Sequence, residues 1–229
     1  MSRYRFFITG TDTDVGKTVV TACLARILMA RGLSVAVAKP FECGSNQDSR
    51  FLKHSTGQDS TWDRWAFPYK LKAAMAPAMA AEKEGVKLSI PKAETGLRKL
   101  ERMNDVMLVE GAGGLMVPIR DRFLILDLMV KLGYPVIVVA RYGLGTINHS
   151  LLTLAVLAQR RCPVAGLIFN QTSPGKIGEL EKKNPTVVAQ LGNVKILGML
   201  PYTPKIRRQV FPPLEELNRY LLINKLLRG

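Results

Sequence analysis

A chain of 229 residues and 25.3 kDa has the length of one large α/β domain. Its 47% hydrophobic and 22% charged residues are those of an ordinary globular protein and exclude a disordered chain. The formal net charge of +15 would suit a polyanion, but Lys and Arg are scattered and no nucleic-acid motif accompanies them, so we expect no nucleic-acid partner.

The apolar runs and the cysteines indicate a cytoplasmic protein. Runs such as "YPVIVVA" at 134–140 are too short to cross a bilayer, and the N-terminus enters a motif with no signal-like segment, so we expect no membrane partner. The cysteines Cys23, Cys43 and Cys162 are odd in number and lack the paired spacing of a zinc site, which fits a reducing compartment.

Short apolar runs alternate with segments of helical period along the chain, as in a parallel sheet with both faces covered. The six runs are "YRFFIT" (4–9), "LSVAVAKP" (33–40), "DVMLVEG" (105–111), "PVIVVA" (135–140), "VAGLIFN" (164–170) and "VKILGML" (194–200). We predict an α/β fold in which residues 1–229 form a single P-loop NTPase-like domain. Its sheet is expected to be mostly parallel, with about seven strands and helices on both faces.

Three further segments lie between these strands. An apolar stripe over residues 20–28 predicts a helix that Gly32 ends, and "NHSLLTLAVLAQRR" predicts another that begins at Asn148 and ends in cations. Residues 47–92 interrupt this alternation of strand-like and helix-like segments, and they hold both tryptophans. This predicts an irregular functional insertion rather than a second domain.

The first strand runs into "GTDTDVGKT", which resembles a phosphate-binding loop with one extra residue. Gly10 and Gly16 are separated by five residues where the common motif has four, so Thr11 stands where a glycine is usual. The strand before and the helix after "GKT" still predict backbone N–H groups gathered at a helix N-terminus, where a polyphosphate binds. Lys17 would reach the β and γ phosphates and Thr18 would hold magnesium.

Further polar residues follow the other strands, at the edge of the sheet where ligands bind in such folds. Glu110 and Asp48 offer the hard oxygen ligands that Mg²⁺ prefers, and Lys39 could stabilise charge on a transferring phosphoryl group. The ordinary alternatives are a helix or turn cap for the carboxylates and a strand-end surface cation for Lys39. "EGAGG" (110–114) would let a substrate approach the backbone, and "GLGTINHS" (143–150) would offer a second helix N-terminus to a carboxylate.

Five motifs, in their order and spacing, resemble the dethiobiotin synthetases. They are "GTDTDVGKT", "KP" followed by "CGS", "VEGAGG", "PVIVVARYGLGTINHSLLT" and "GLIFNQ". The resemblance covers most of the chain between Ile8 and Pro201. It implies an ATP- and Mg-dependent carboxylation and ring closure of 7,8-diaminononanoate with CO₂, through a carbamate and a carbamic-phosphoric anhydride. It also implies a homodimer.

The resemblance further implies a role for each matching residue. Lys17 and Lys39 would be catalytic, and Thr18, Asp48 and Glu110 would hold the metal. The substrate would be bound by Thr13, Lys39, Cys43, Gly145, Thr146 and Asn148, the last three from the neighbouring subunit. ATP would be bound by Thr13, Asp14, Val15, Gly16, Lys17, Thr18, Val19, Asp48, Glu110, Gly111, Ala112, Gly113, Asn170, Gln171, Pro201, Tyr202 and Thr203.

The chain departs from many relatives at a few positions. Cys43 replaces a serine, Asp14 a glutamate, Gln171 an aspartate, and "APA" (76–78) the sequence "SPH"; "PKIRR" (204–208) stands where an acid is common. Two alternatives remain open. A cobyrinate-synthase-like ligase shares the altered loop but usually continues into a glutaminase domain, and a partitioning-type ATPase usually carries an extra lysine early in the loop.

Overall fold

The computed structural model describes residues 3–44, 46–179 and 181–227. Over these residues, a central sheet of six parallel strands runs in the order β10-β9-β8-β1-β5-β2, with two small two-stranded sheets, β3-β4 and β6-β7, beside it. The strands are β1 (Tyr4–Gly10), β2 (Val35–Ala38), β3 (Phe41–Cys43), β4 (Tyr69–Leu71), β5 (Val106–Glu110), β6 (Pro118–Arg120), β7 (Phe123–Leu124), β8 (Val136–Arg141), β9 (Val164–Asn170) and β10 (Ile196–Leu200).

The helices connect these strands and pack on both faces of the sheet. They are α1 (Lys17–Ala30), α2 (Gln47–Thr56), α3 (Asp63–Ala66), α4 (Pro77–Glu84), α5 (Ile90–Met103), α6 (Ile125–Leu132), α7 (Thr146–Gln159), α8 (Asn184–Gly192), α9 (Leu214–Tyr220) and α10 (Ile223–Leu227). Neighbouring residues of β1 such as Phe7 and Ile8, whose side chains point to opposite faces, are both fully buried. Both faces of the sheet are therefore covered, as the apolar strands predict.

The six predicted strands are all confirmed, although the central sheet has six strands over the described residues rather than about seven. The first predicted helix is α1, and the Gly32 N–H closes its end by donating to the Met29 carbonyl. The second is α7, which begins at Thr146 and not at Asn148, because Gly145 adopts a left-handed conformation (φ 83°) as its N-cap.

Residues 47–92, predicted to be irregular, contain α2, α3, β4, α4 and the start of α5. They also cover β2, the edge strand of the central sheet. The Val37 N–H donates to the Gln58 side-chain oxygen (2.9 Å), and the Lys39 N–H donates to the Ala66 carbonyl (3.0 Å). These two bonds occupy N–H groups that an edge strand would otherwise leave unpaired.

The carboxyl ends of β1, β5, β8 and β9 meet at one edge of the sheet, as the parallel strand order requires. The phosphate-loop segment, the "EGAGG" turn, the loop before α7 and Asn170 leave the sheet at that edge. No helix in the part of the chain that the structure describes is long and apolar enough to cross a membrane.

Candidate active site

The loop between β1 and α1 is closed by two glycines. A Cβ added to Gly10 would lie 2.6 Å from the Asp12 carbonyl oxygen and 2.7 Å from a methyl carbon of Val15, so only glycine fits the end of the strand. Gly16 is left-handed (φ 87°) and is the N-cap of α1. The glycine that the common motif places at position 11 is thus found at position 10, where it allows the loop to fold back on itself.

Between the two glycines, the loop exposes Asp12, Thr13 and Asp14 and buries Val15. Thr13 is exposed, and its N–H donates to Asp12 Oδ1 (2.7 Å). Asp14 has a positive φ of 56°, which few residue types other than glycine adopt readily, and Val15 is fully buried. The loop is therefore anchored at Val15 and presents Thr13 and Asp14 outward.

Lys17, the first residue of α1, lies at the centre of the loop. Its Nζ donates to the Asp12 carbonyl (3.2 Å), and the side chain is buried. Burial lowers the pKa of Lys17, partly offset by the charge of Glu110, while Lys39 lowers it further. Burying the charged ammonium group of Lys17 costs free energy. An anion bound in the loop would offset that cost, because it would place an opposite charge beside the ammonium group.

Glu110, the last residue of β5, is fully buried and is the hub of the site. Its Oε1 accepts hydrogen bonds from the Thr18 hydroxyl (2.8 Å) and from Lys39 Nζ (2.9 Å). The Thr21 hydroxyl lies 3.1 Å from Oε2. These partners stabilise a carboxylate that would otherwise be expensive to bury. They also place Glu110 directly beside the start of α1.

Lys39 follows β2 and bridges two carboxylates. Its Nζ is hydrogen-bonded and ion-paired to Asp48 Oδ2 as well as to Glu110 Oε1. Burial alone would lower the pKa of Lys39, but the charges of Glu110 and Asp48 outweigh it and the pKa is raised. Lys39 is therefore a permanent cation within this group. Asp48 reaches it from the first turn of α2, not from the end of a strand as the sequence predicts.

The oxygen atoms around Lys39 fit a magnesium ion. Thr18, Asp48 and Glu110 supply a hydroxyl and two carboxylates, which are hard ligands, and an ammonium group already lies between the two carboxylates. Across residues 3–44, 46–179 and 181–227 there is no group of three or more His, Cys, Asp or Glu side chains that could hold a metal by itself. The set suits an ion that completes its coordination with phosphate oxygens and water.

A small cleft extends from the phosphate loop toward the ends of β9 and β10. It is lined by seven residues that the sequence assigns to ATP: Gly16, Val19, Asn170, Gln171, Pro201, Tyr202 and Thr203. Other lining residues were not singled out from the sequence: Thr172, Leu200, Pro204, Ile206 and Arg207. Arg207 belongs to the "PKIRR" segment, so one cation of that segment lines this cleft.

The two amide side chains at the end of β9 are held in different ways. Asn170 is buried, and its Nδ2 donates to the Val15 carbonyl (2.9 Å), which ties the strand to the phosphate loop. Gln171 Nε2 donates to the Gly175 carbonyl (2.7 Å), and its Oε1 accepts from the Tyr202 N–H (3.4 Å). Asn170 therefore shapes the loop, whereas Gln171 joins the segments on the two sides of the cleft.

Cys43 and the "EGAGG" turn flank the group around Glu110. Cys43 ends β3, and burial raises the pKa of its thiol to about 11, so it is a neutral thiol near pH 7. The backbone of Gly111 continues from Glu110 and its N–H donates to the Ile8 carbonyl (2.9 Å); Ala112 and Gly113 follow in the same turn. Ser45, the last residue of the "CGS" motif, lies outside the described residues.

The loop before α7 is not joined to this group. Gly145 and Asn148 are exposed, Thr146 is buried, and Leu144 is 93% exposed. Among the described residues, no hydrogen bond or ion pair links residues 143–148 to Lys39 or Cys43. The predicted substrate residues thus fall into two groups within one subunit.

Thr21 is a polar contact of Glu110 that the sequence analysis missed. It lies within the apolar stripe of α1, four residues after Lys17, and is fully buried. A hydroxyl residue on the buried face of the helix that begins at the phosphate loop was the available signal. Its partner could be recognised only once β5 was placed beside α1.

Comparisons with known proteins identify the family. The family model described as an AAA domain matches residues 4–210. The chain is 39% identical to the ATP-dependent dethiobiotin synthetase BioD of Anaeromyxobacter dehalogenans, over 89% of this chain and 92% of that protein. It is 36% identical to that of Thermodesulfovibrio yellowstonii (89% and 90%) and 34% identical to that of Bacillus subtilis (96% and 97%).

Solved structures with the same fold include P-loop ATPases of cell division. A chain of the MinC:MinD complex of Aquifex aeolicus superposes with a TM-score of 0.61 at 15% identity, covering 98% of this chain and 94% of that one. The MinD ATPase of Pyrococcus furiosus superposes with a TM-score of 0.56 at 19% identity, covering 91% and 86%. These likenesses show the fold alone, whereas the relatives at 34–39% identity decide the family. The chain belongs to the family of ATP-dependent dethiobiotin synthetases.

Proposed function

We propose that this protein forms dethiobiotin from 7,8-diaminononanoate, CO₂ and ATP, with Mg²⁺ as its metal. Its family makes it an ATP-dependent ligase that forms C–N bonds. The observation that carries the finer proposal is the position of Lys39, whose buried ammonium lies between Asp48 and Glu110 beside the start of the phosphate-loop helix. A fixed cation at this point suits a reaction in which negative charge moves between a carbamate and a phosphoryl group.

The proposed reaction has three bond-forming steps. One amine of the substrate attacks CO₂, loses a proton and becomes a carbamate. A carbamate oxygen then attacks the γ-phosphorus of ATP, the bond to the β-phosphate oxygen breaks, and ADP leaves. The second amine attacks the carbonyl carbon of the resulting anhydride, the C–O bond to phosphate breaks, and the cyclic urea closes with release of phosphate and a proton.

The protein contributes mainly position and charge to these steps, as phosphoryl transfer requires. The loop N–H groups at the start of α1 would hold the phosphates, and Lys17 would lie against the β and γ phosphates. Lys39 would neutralise the carbamate and the transferring group. Magnesium bound by Thr18, Asp48 and Glu110 would supply further neutralisation of the phosphate oxygens.

The nucleotide base would lie in the cleft between Asn170 and the segment 201–203. This placement is supported by continuity, since Gly16 and Val19 of the phosphate-loop region line the same cleft. Gly111, Ala112 and Gly113 would form the opposite wall of the phosphate site, next to Glu110.

We further propose that the active enzyme is a homodimer whose sites are shared. Thr13, Lys39 and Cys43 would contact the diamine from one subunit, and the loop with Gly145, Thr146 and Asn148 would receive the distal carboxylate from the other. The support is that this loop is exposed and unlinked to Lys39 within one subunit, while its helix N-terminus is suited to an anion.

The shared site can be tested by mixing two inactive variants. Lys39→Ala and Gly145→Val each damage a different half of the site, so a heterodimer holds one site with both halves intact. If dimers form at random, the refolded mixture regains about a quarter of wild-type activity. A mixture that stays inactive although both variants form dimers contradicts a shared site.

The reaction itself is tested by a product assay. The protein is incubated with 7,8-diaminononanoate, ¹³C-bicarbonate and MgATP, and in control reactions each of these components is left out in turn. The products are analysed by mass spectrometry. We expect dethiobiotin that carries one ¹³C and appears only in the complete mixture. ATP hydrolysis that rises with DNA but not with the diamine would contradict the proposal and favour a partitioning-type ATPase.

A further inference from the structure

Glu42 is a buried acidic residue next to the active site that the proposed reaction does not use. It is the middle residue of β3 and is 1% exposed. Successive side chains of a strand alternate, so Glu42 points away from the side on which Phe41 and Cys43 lie. It is therefore not placed to touch a substrate that contacts Cys43.

Glu42 reaches the N-terminus of α2 instead. Its Oε1 accepts a hydrogen bond from the backbone N–H of Ser49 (3.0 Å), the third residue of that helix. The first four N–H groups of a helix have no partner within the helix and need one from elsewhere. Ser49 is itself 1% exposed, so water cannot readily replace the carboxylate.

The helix has no cap of its own to perform this task. Its N-cap residue, Asn46, has a left-handed conformation (φ 55°) and makes no side-chain capping bond. A carboxylate from a different element is well suited to the position, because negative charge is stabilising at a helix N-terminus. Glu42 thus acts as a cap supplied by β3.

The turn that Glu42 caps carries Asp48. Asp48 is adjacent to Ser49, and its carboxylate pairs with Lys39. The side chain of Asp48 is 40% exposed, so surrounding side chains do not fix it as they fix the fully buried Glu110. Its position therefore depends on the backbone of the first turn of α2.

We propose that Glu42 is a positioning residue: by holding the Ser49 N–H, it fixes the first turn of α2 so that Asp48 faces Lys39 and Glu110. The consequence for the metal rests on the proposed function, in which Asp48 is a magnesium ligand. The effect on the helix turn does not rest on it, and the two are measured separately.

Three variants separate the roles. Glu42→Ala removes the acceptor for the Ser49 N–H, whereas Glu42→Gln keeps an oxygen that can accept the same bond. Thr56→Val is the matched control, because it removes a buried hydroxyl that donates to the Leu52 carbonyl (2.8 Å) at the opposite end of α2. Circular dichroism and thermal unfolding establish that each variant is folded.

Hydrogen exchange in the metal-free protein reports on the turn directly. Peptides covering residues 46–50 should exchange about tenfold faster in Glu42→Ala, the size expected for loss of a helix cap, and less than threefold faster in Glu42→Gln. Thr56→Val should leave this turn unchanged. Wild-type exchange in Glu42→Ala, or an equal increase in Glu42→Gln, overturns the proposal.

Binding of Mn²⁺, measured by electron paramagnetic resonance with ADP present, reports on the consequence for the metal. We expect affinity to fall about tenfold in Glu42→Ala and to be largely restored in Glu42→Gln. Glu42→Ala combined with Asp48→Asn should bind no more weakly than Asp48→Asn alone, because both changes act through one carboxylate. If the losses of Mn²⁺ affinity caused by Glu42→Ala and by Asp48→Asn add in the double variant, Glu42 does not act through Asp48. If Asp48→Asn itself leaves Mn²⁺ affinity unchanged, the proposed metal role of Asp48 is wrong, and the exchange measurement still decides the role of Glu42.

Discussion

The two ends of the proposed nucleotide site, its phosphate end and its base end, are built differently. At the phosphate end, Lys17, Lys39 and Glu110 are buried, and each charged group has its partners within the same subunit. At the base end, Tyr202 and Arg207 are exposed, and Gln171 uses its amide to join two loop segments. Interactions between buried charged side chains determine the structure of the phosphate end. Hydrogen bonds that join backbone segments determine the structure of the base end.

This difference teaches where substitutions should matter for chemistry and where they should matter for binding. A buried cation between two carboxylates cannot be removed without leaving uncompensated charge, so changes there should affect turnover. The base end offers shape and a few hydrogen bonds, so changes there should affect the KM for ATP. The predictions that follow test this division, from the largest expected effect to the smallest.

Lys39→Ala should reduce kcat about a thousandfold, because the group that would stabilise the transferring charge is lost. Binding of ATP, measured by calorimetry, should stay close to that of the wild type. Lys53→Ala is the control, since Lys53 pairs with Asp63 away from the phosphate loop. Undiminished turnover in Lys39→Ala would refute the role of this lysine.

Gly16→Ala should lower the free energy of unfolding by about 3 kcal/mol and weaken ATP binding, because it adds a clash to backbone strain. The new Cβ would lie 2.0 Å from Asn170 Nδ2, so Asn170 could make room only by breaking its bond to Val15. Gly32→Ala is the matched control: its φ of 79° is similar, but nothing lies within 4 Å of the added Cβ.

That control should cost only about 1 kcal/mol, the effect of a positive φ alone. Chemical denaturation of both variants measures the difference. Equal losses of stability in Gly16→Ala and Gly32→Ala would show that Asn170 is not held against the loop.

Asn170→Ala should raise the KM for ATP about tenfold with little change in kcat, because the buried Val15 carbonyl loses its donor and the loop loosens. Gln171→Ala should raise the KM only about twofold, since its bonds are exposed. Steady-state kinetics at saturating diamine gives both values. A larger effect on kcat than on KM in Asn170→Ala would show that this residue contributes to the chemical step. It would contradict the division between an end that affects turnover and an end that affects the KM for ATP.

Cys43→Ser should keep activity within about twofold of the wild type, because a hydroxyl can replace a neutral thiol that acts at most as a weak donor. With the thiol pKa raised to about 11, Cys43 stays protonated below pH 9, so the pH profile of kcat between pH 6 and 9 should be unchanged. Complete loss of activity, or a new ionisation in the profile, would mean that the site depends on sulfur.

The sequence predicted the fold and the phosphate end better than the rest. Strands buried on both faces are unbroken apolar runs, so all six could be located, and Gly16, Lys17 and Thr18 are consecutive in the chain. Asp48 was placed at the end of a strand although it lies on α2, because helix formation in residues 47–92 depends on packing against β2 and not on a regular apolar period.

Tertiary contacts explain the remaining differences. The Thr21 hydroxyl contacts the carboxylate of Glu110, 89 positions away. Glu42 lies in β3 and accepts a hydrogen bond from the N-terminus of a different element, α2. Neither contact leaves a local pattern. Arg207 was visible within the "PKIRR" segment, but only the packing of residues 204–208 beside β10 places its side chain at the cleft.

The stoichiometry of ATP use tests the central claim most directly. With diamine, ¹³C-bicarbonate and MgATP present, inorganic phosphate and ¹³C-dethiobiotin are measured in the same reaction, for the wild type and for Lys39→Ala. We predict one phosphate released for each dethiobiotin formed, with both products falling together in the variant. Phosphate release that continues in Lys39→Ala without product, or that does not depend on the diamine in the wild type, would contradict a centre in which Lys39 acts on the transferring group.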